Sequence, residues 1–239
     1  MNDLPILSVH DTPLHIGIIM DGNGRWAQQK NLPRTAGHKE GVNAAREIIK
    51  KAGSVGIRYL TLYVFSTENW KRTQEEVGFL MNLLKSHLRA EFEFYKKEQV
   101  RLLHVGDAGA LPDDVRKELE SVQKDSADFT GMTLVLAINY GGQNEIIRGI
   151  HKMARDIGNP GATITEENFS SYFDVPEMPP VDLIIRTGGE KRLSNFLLWH
   201  SAYAELHFSD TLWPDYTPGQ FCHAVGDFLK RSRRFGGIA

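Results

Sequence analysis

Asp21 ends the apolar run I-G-I-I-M (residues 16–20) and opens the glycine-rich segment G-N-G-R-W (residues 22–26). The apolar run, bounded by turn-forming residues, reads as a buried strand. Gly22 and Gly24 tolerate positive φ and leave backbone N–H groups unshielded, so an oxyanion can approach the main chain there. Arg25 adds a planar guanidinium suited to phosphate oxygens. The carboxylate of Asp21 would repel such a ligand unless a cation lay between them. Mg2+ shared by Asp21 and a di- or triphosphate is the economical resolution.

Two further clusters sit where strands are expected to end. Ser66, Thr67, Glu68, Asn69 and Trp70, with Arg72, form an unusually polar exit from an apolar run. The segment R-T-G-G-E-K-R-L-S-N (residues 186–195) follows the apolar run 181–185, and Arg186, Arg192 and Ser194 bracket its Gly-Gly turn as a second anion cradle. In doubly wound sheets, ligands bind at the carboxyl ends of strands. Arg34 and His38 flank a helix start, where free N–H groups favour anions. Glu205, entering the last strand, could lend a second carboxylate to a metal, although a lone glutamate at a strand edge is more often structural.

Each cluster has an ordinary reading: a turn, a capped loop with a packed tryptophan, a solvated basic loop. G-N-G-R-W-A also matches a dinucleotide fingerprint. Asp21 would then face the pyrophosphate, and F-S-T-E-N-W at the end of the second strand lies far beyond the expected ribose-binding acid. A phosphatase using Asp21 as nucleophile lacks a second aspartate two residues on. Two diphosphate-sized anion sites, one acid placed for Mg2+ and abundant apolar helix surface together suggest the joining of two anionic substrates with lipid-like parts.

The elements that must position these groups alternate. Strands are expected at 15–20, 59–66, 100–105, 133–139, 182–187 and 205–208, and helices at 38–52, 74–98, 113–125, 143–157, 166–173 and 218–231. Such alternation predicts an α/β fold, a single domain with a mostly parallel central sheet flanked by helices. Segments 158–161 and 176–180 read as loops, and residues 1–13 as a flexible N-terminal arm. Helix 74–98 begins at Thr73, with Glu76 completing a capping box. Val77, Leu80, Met81, Leu84, Leu88, Phe92 and Tyr95 form its apolar stripe, which either packs as core and partner surface or lines a greasy cavity.

A chain of 239 residues suits one large domain. The net charge of −2 offers no global field for nucleic acid, so a polyanion site must be local. A single cysteine, Cys222, excludes an internal disulfide and a cysteine-rich zinc site, and fits a reducing cytosol. No apolar stretch is long enough to span a bilayer, and the start lacks signal-peptide features. The expected location is cytoplasmic, peripheral at the inner face of the plasma membrane.

Several collinear blocks, M-D-G-N-G-R-W-A, G-H-K-E-G, F-S-T-E-N-W-K-R, N-Y-G-G, R-T-G-G-E-K-R-L-S-N-F-L-L-W, A-Y-A-E-L and L-W-P-D, resemble the cis-prenyltransferase (isoprenyl transferase) family, most of all its bacterial undecaprenyl diphosphate synthase branch. The aspartate-rich D-D-x-x-D motif of trans-type synthases is missing. The resemblance implies condensation of isopentenyl diphosphate with an allylic diphosphate, farnesyl diphosphate being expected, to give cis double bonds. It implies a long apolar helix pair and a hydrophobic tunnel. It assigns Asp21 as Mg2+ ligand and main catalytic residue, Asn69 as proton acceptor, and Glu205 as second metal ligand. Gly22, Asn23, Gly24, Arg25, Trp26, Arg34 and His38 would hold the allylic diphosphate, and Ser66, Thr67, Glu68, Trp70 and Arg72 would continue that pocket. Arg186, Arg192, Leu193 and Ser194 would hold isopentenyl diphosphate. A homodimer, a tail around Arg234, Phe235 and Gly236 reaching a diphosphate, and transient membrane contact for product release are also implied. A shorter-chain synthase and a non-catalytic subunit of a prenyltransferase complex are the alternatives.

Overall fold

The computed structural model describes residues 12–156 and 165–233. Most of the expected N-terminal arm, the loop at 158–161 and the tail beyond Arg233 lie outside the described residues. Six strands form one sheet in the order β3-β4-β2-β1-β5-β6: β1 (His15–Ile19), β2 (Tyr59–Ser66), β3 (Arg101–Val105), β4 (Thr133–Tyr140), β5 (Leu183–Arg186) and β6 (Glu205–Phe208). Every pairing is parallel. The helices are α1 (Asn23–Gln29), α2 (Arg34–Ser54), α3 (Gln74–Ala90), α4 (Phe92–Lys97), α5 (Asp113–Asp125), α6 (Gly142–Asp156), α7 (Glu166–Phe169) and α8 (Pro218–Leu229).

β4 shows how the sheet sorts its side chains, since successive residues point to opposite faces. Leu134, Leu136 and Ile138 join the larger core with Ile48, Leu88, Leu119, Trp213 and Phe221. Val135 and Ala137 join a second core on the other face with Val181, Phe196 and Leu197. Burial on both faces explains why β1, β4 and β5 read as near-continuous apolar runs.

Four boundaries differ from expectation for identifiable reasons. The segment after Gly22 is a short helix, α1, because Gly22 (φ +124°) turns the chain and Asn23 onwards can wind. α2 starts at Arg34, because Pro33 takes the extended conformation at its N-cap. The expected helix 74–98 is two helices interrupted at Glu91, and the expected helix 166–173 shortens to α7 followed by a 3-10 turn. At Thr73 only half of the capping box forms. The Thr73 hydroxyl accepts from the Glu76 N–H, but the Glu76 carboxylate turns away to Arg72.

His15 sits fully buried at the start of β1, with Nδ1 2.8 Å from the Pro179 carbonyl and Nε2 2.7 Å from the Thr61 hydroxyl. The carbonyl can only accept, so Nδ1 carries the proton of a neutral ring. Burial pushes the pKa of His15 down from 6.5 to about 4. In that interval the unfolded chain binds a proton that the folded chain refuses, so this contribution is intact above pH 6.5 and is lost as pH falls towards 4. The loss should approach about 3 kcal/mol at the acid end. Urea unfolding across this window should show the decline, and His15→Gln should flatten it. An unchanged slope in the variant would refute the assignment.

Candidate active site

The carboxyl ends of β1, β2 and β5 meet where the chain leaves β1 towards β2 on one side and later returns to β5 on the other. Such reversals open a crevice above a parallel sheet. Asp21, just past β1, is fixed there by its backbone: its carbonyl accepts from the Trp213 N–H (3.0 Å) and the Thr187 hydroxyl (2.8 Å). Its carboxylate lies between two guanidiniums, with Oδ1 3.0 Å from Arg25 Nη2 and Oδ2 2.9 Å from Arg186 Nη2.

Arg186, the last residue of β5, is buried, yet three of its contacts are polar. Beside Asp21, it donates to the Arg192 carbonyl (2.6 Å) and to Ser194 Oγ (2.7 Å). A guanidinium so placed organises the loop that follows it, while its Nε is left without a partner. Arg25 donates to the Gly188 carbonyl at 2.6 Å. Arg192 is exposed and pairs with Glu190. The forks of Arg25 and Arg186 are thus already engaged with protein groups, unlike the free cradles expected from sequence.

A second group of basic side chains surrounds Glu76 at the start of α3. Its Oε1 lies 3.0 Å from Arg72, 3.6 Å from Arg34 and 3.7 Å from His38. Burial, then the nearby Arg72 charge, holds His38 below its ordinary pKa. Asn69 uses its side-chain oxygen to accept the Ser66 N–H at 3.1 Å, so the group it has left to offer is a donor. Burial opposes ionisation of Glu68, but hydrogen bonds from Asn195 and from its own loop outweigh it and hold the carboxyl below the usual range.

These residues line one cleft of about 1260 Å³: Asp21, Gly22, Asn23, Gly24, Arg25, Arg34, His38, Ser66, Glu68, Asn69, Arg72, Arg186, Arg192 and Ser194 all border it. A mainly apolar cavity of about 150 Å³ lies below, walled by α2, α3 and the sheet. Met20, Asn23, His38, Val64 and Leu80 border both spaces, so the charged cleft adjoins the greasy one. Of the two readings of the α3 stripe, the cavity-lining one holds for Leu80, Met81, Leu84 and Leu88.

Five expected site residues do not border the cleft. Trp26 is buried and donates its indole N–H to Asp215 (2.8 Å), so it anchors α1. Trp70 donates to Asn139 (2.7 Å) and lines a separate groove with Gln74 and Pro112. Leu193 packs against the second core, and the Thr67 hydroxyl lies beside Gly141. Glu205 pairs with Arg231 and opposes Leu183, at the level of Ile16, because β5 lies in register with both. That is five residues below Asp21, roughly 16 Å along the strand direction. Within one chain, Glu205 and Asp21 are not brought together. Conversely, Tyr63 and Asn195 border the cleft and were not assigned to it. Position Tyr63 carries no motif signal, whereas Asn195 ends the 186–195 cluster and could have been found there.

An Asp21 carboxylate facing this cleft is a hard oxygen ligand of the kind Mg2+ takes. No cluster of three acidic, histidine or cysteine side chains that could cage a metal exists among the described residues. The donor set therefore fits a cation completed by ligand oxygens.

Fold and site together define an α/β protein whose arginine-rich cleft, at the carboxyl ends of a parallel sheet, adjoins an apolar cavity. The chain belongs to the family described as "Putative undecaprenyl diphosphate synthase", whose profile matches residues 19–236. It is 55% identical over 222 residues to the isoprenyl transferase of Treponema denticola, covering 93% of this chain and 96% of that protein. It is 48% identical over 228 residues to the ditrans,polycis-undecaprenyl-diphosphate synthase ((2E,6E)-farnesyl-diphosphate specific) of Buchnera aphidicola subsp. Schizaphis graminum, covering 94% and 92%. Among solved structures, lavandulyl diphosphate synthase from Lavandula x intermedia in complex with dimethylallyl diphosphate superposes with a TM-score of 0.91 at 32% identity, covering 95% of this chain and 99% of that one.

The Arg25 clamp depends on Gly188, which has φ +82° and whose added Cβ would lie 2.6 Å from Arg25 Nη2 and 2.9 Å from the Asp21 carbonyl. Gly188→Ala should cost about 1–3 kcal/mol of stability. Thermal melting would check this, and an unchanged Tm would show that the loop yields without strain.

Proposed function

We propose that this chain condenses isopentenyl diphosphate units onto an allylic diphosphate, with farnesyl diphosphate as starter, to build a long-chain polyprenyl diphosphate with cis double bonds. The carrying observation is the adjacency of one arginine-rich cleft, bordered by Asp21, to an apolar cavity that shares five of its lining residues. A substrate with a diphosphate head and a hydrocarbon tail fits both spaces at once. The family supports this reading, as do the Buchnera and Lavandula relatives, both named as diphosphate synthases.

In this reading Arg25, Arg34, His38 and Arg72, with the backbone of Gly22, Asn23 and Gly24, receive the allylic diphosphate. Arg192 and Ser194 receive isopentenyl diphosphate, and Arg186 holds both of them in place. Bound Mg2+, held by Asp21 and diphosphate oxygens, would neutralise charge developing on the leaving group. As the allylic C–O bond breaks, a new C–C bond forms to the isopentenyl double bond and a proton is lost. The Asn69 side chain, with its oxygen occupied, orients substrate through its NH2 group, and a diphosphate oxygen or Asp21 takes the proton.

The proposal extends to a homodimer. Ile147, Ile150, Tyr203 and Leu206 are exposed apolar side chains that association could cover. Glu205 can serve a metal site only across such an interface. No helix among the described residues is long and apolar enough to cross a membrane. The proposal places the chain in the cytoplasm, with product released by transient contact with the inner face of the plasma membrane and supplying carrier lipid for cell-wall synthesis.

Two measurements test these assignments. Asp21→Ala should lower turnover of radiolabelled isopentenyl diphosphate by at least about 100-fold, and chelation by EDTA should stop turnover until Mg2+ is restored. Near-normal turnover in either case would overturn the metal role. Arg192→Ala and Arg186→Ala should raise KM for isopentenyl diphosphate more than for farnesyl diphosphate, and Arg186→Ala should also lower kcat by releasing Asp21. Equal effects on both KM values would mean that the two substrate sites are exchanged.

A further inference from the structure

Asn195 joins the two substrate loops. Its Oδ1 accepts from the Gln143 N–H in the first turn of α6 (2.9 Å), and its Nδ2 donates to Glu68 Oε1 (3.0 Å). Its carbonyl accepts from the Gly142 N–H at 2.7 Å. A backbone N–H only donates and an ionised carboxylate only accepts, so a short primary amide satisfies both at once. Aspartate would confront Glu68 with like charge, and serine or alanine would not reach. Space is reserved for this amide: a Cβ on Gly141 would lie 2.7 Å from both Asn195 Nδ2 and Thr67 Oγ1. The backbone is also bent to deliver it, since Ser194 and Asn195 have φ of +49° and +63°. Ser194, one residue earlier, accepts from Arg186. Glu68, at the other end of the bridge, directly precedes Asn69.

We propose that Asn195 is a positioning residue that fixes the 66–70 loop against the 186–194 loop, and with them the separation of the two bound diphosphates. This rests on the condensation reading above. Reacting carbons must be brought to roughly 3–3.5 Å, and a displacement of about 1 Å can cost about 100-fold in rate. Asn195 therefore acts mainly on kcat and little on the affinity for either substrate alone.

The test is steady-state kinetics of the full-length chain with farnesyl diphosphate and radiolabelled isopentenyl diphosphate, with thermal melts in parallel. Asn195→Asp keeps the acceptor for Gln143 and replaces the donor to Glu68 with a second carboxylate. It should lower kcat by roughly 10- to 100-fold with both KM values nearly unchanged. Facing carboxylates share a proton, so the residual activity of this variant should rise on mild acidification in a way the wild type does not match. The other titratable neighbour of Glu68, the Tyr63 phenol, is pushed up by burial and stays neutral throughout. Adding Glu68→Gln to Asn195→Asp restores a donor–acceptor pair with reversed polarity and should recover activity relative to Asn195→Asp alone. A wild-type kcat in Asn195→Asp, or a loss that neither acid nor Glu68→Gln relieves, overturns the proposal. Should Asn195→Asp lack a cooperative melt, Asn195→Ala decides: a selective fall in kcat supports the bridge and an unchanged kcat overturns it. An inactive wild type would instead overturn the condensation reading.

Discussion

The contact on which the rest of the site depends is the Asp21 carboxylate held between Arg25 and Arg186. Removing a charged arginine from water is costly unless a partner compensates it. Arg186 is almost wholly buried, so Asp21 and the acceptors at Arg192 and Ser194 are conditions for its presence at the end of β5. The same carboxylate ties α1 to the Gly188 turn through Arg25. Two segments far apart in sequence, 21–25 and 186–194, are thus joined through one carboxylate. A divalent ion arriving alone would gain little from an aspartate already satisfied, whereas a diphosphate brings negative charge that the arginines can turn to meet. On the proposed reaction, cation and diphosphate should therefore strengthen each other's binding by the same factor, as linkage requires.

Much of this architecture is legible in the residues. The strands announce themselves because both faces are buried, leaving apolar runs such as L-I-I and T-L-V-L-A-I between polar exits. Fourteen of the expected site residues border one cleft because their motifs follow strand ends, and a parallel sheet gathers those ends along one edge. What was not legible depends on register and side-chain direction. The position of Glu205 is decided by its pairing with Leu183, which no local pattern reports. Trp70 leaves the cleft because Asn139, sixty-nine residues away, accepts its N–H.

The helix break at Glu91 was equally hidden. No proline or glycine marks it, and the apolar stripe passes through it without a change of period. Engagement of the arginine forks is a tertiary property too: whether Arg25 faces solvent or a carbonyl depends on Gly188, brought alongside by the β1–β5 pairing. Motifs identified the chemical groups, while the sheet determined which of them could meet.

α3 gives the cavity its least constrained boundary. Of its seventeen residues only Met81 and Leu88 are buried, and its first turn is fastened through Glu76 to cations that border the cleft. The space beside it has a volume of about 150 Å³. On the proposed reaction, each five-carbon unit entering it would gain at most about 4 kcal/mol from apolar burial, against the work of displacing this wall. That work would slow each successive addition as the wall is pushed back. Product length would then depend on how far this wall yields as well as on the depth of the space behind it.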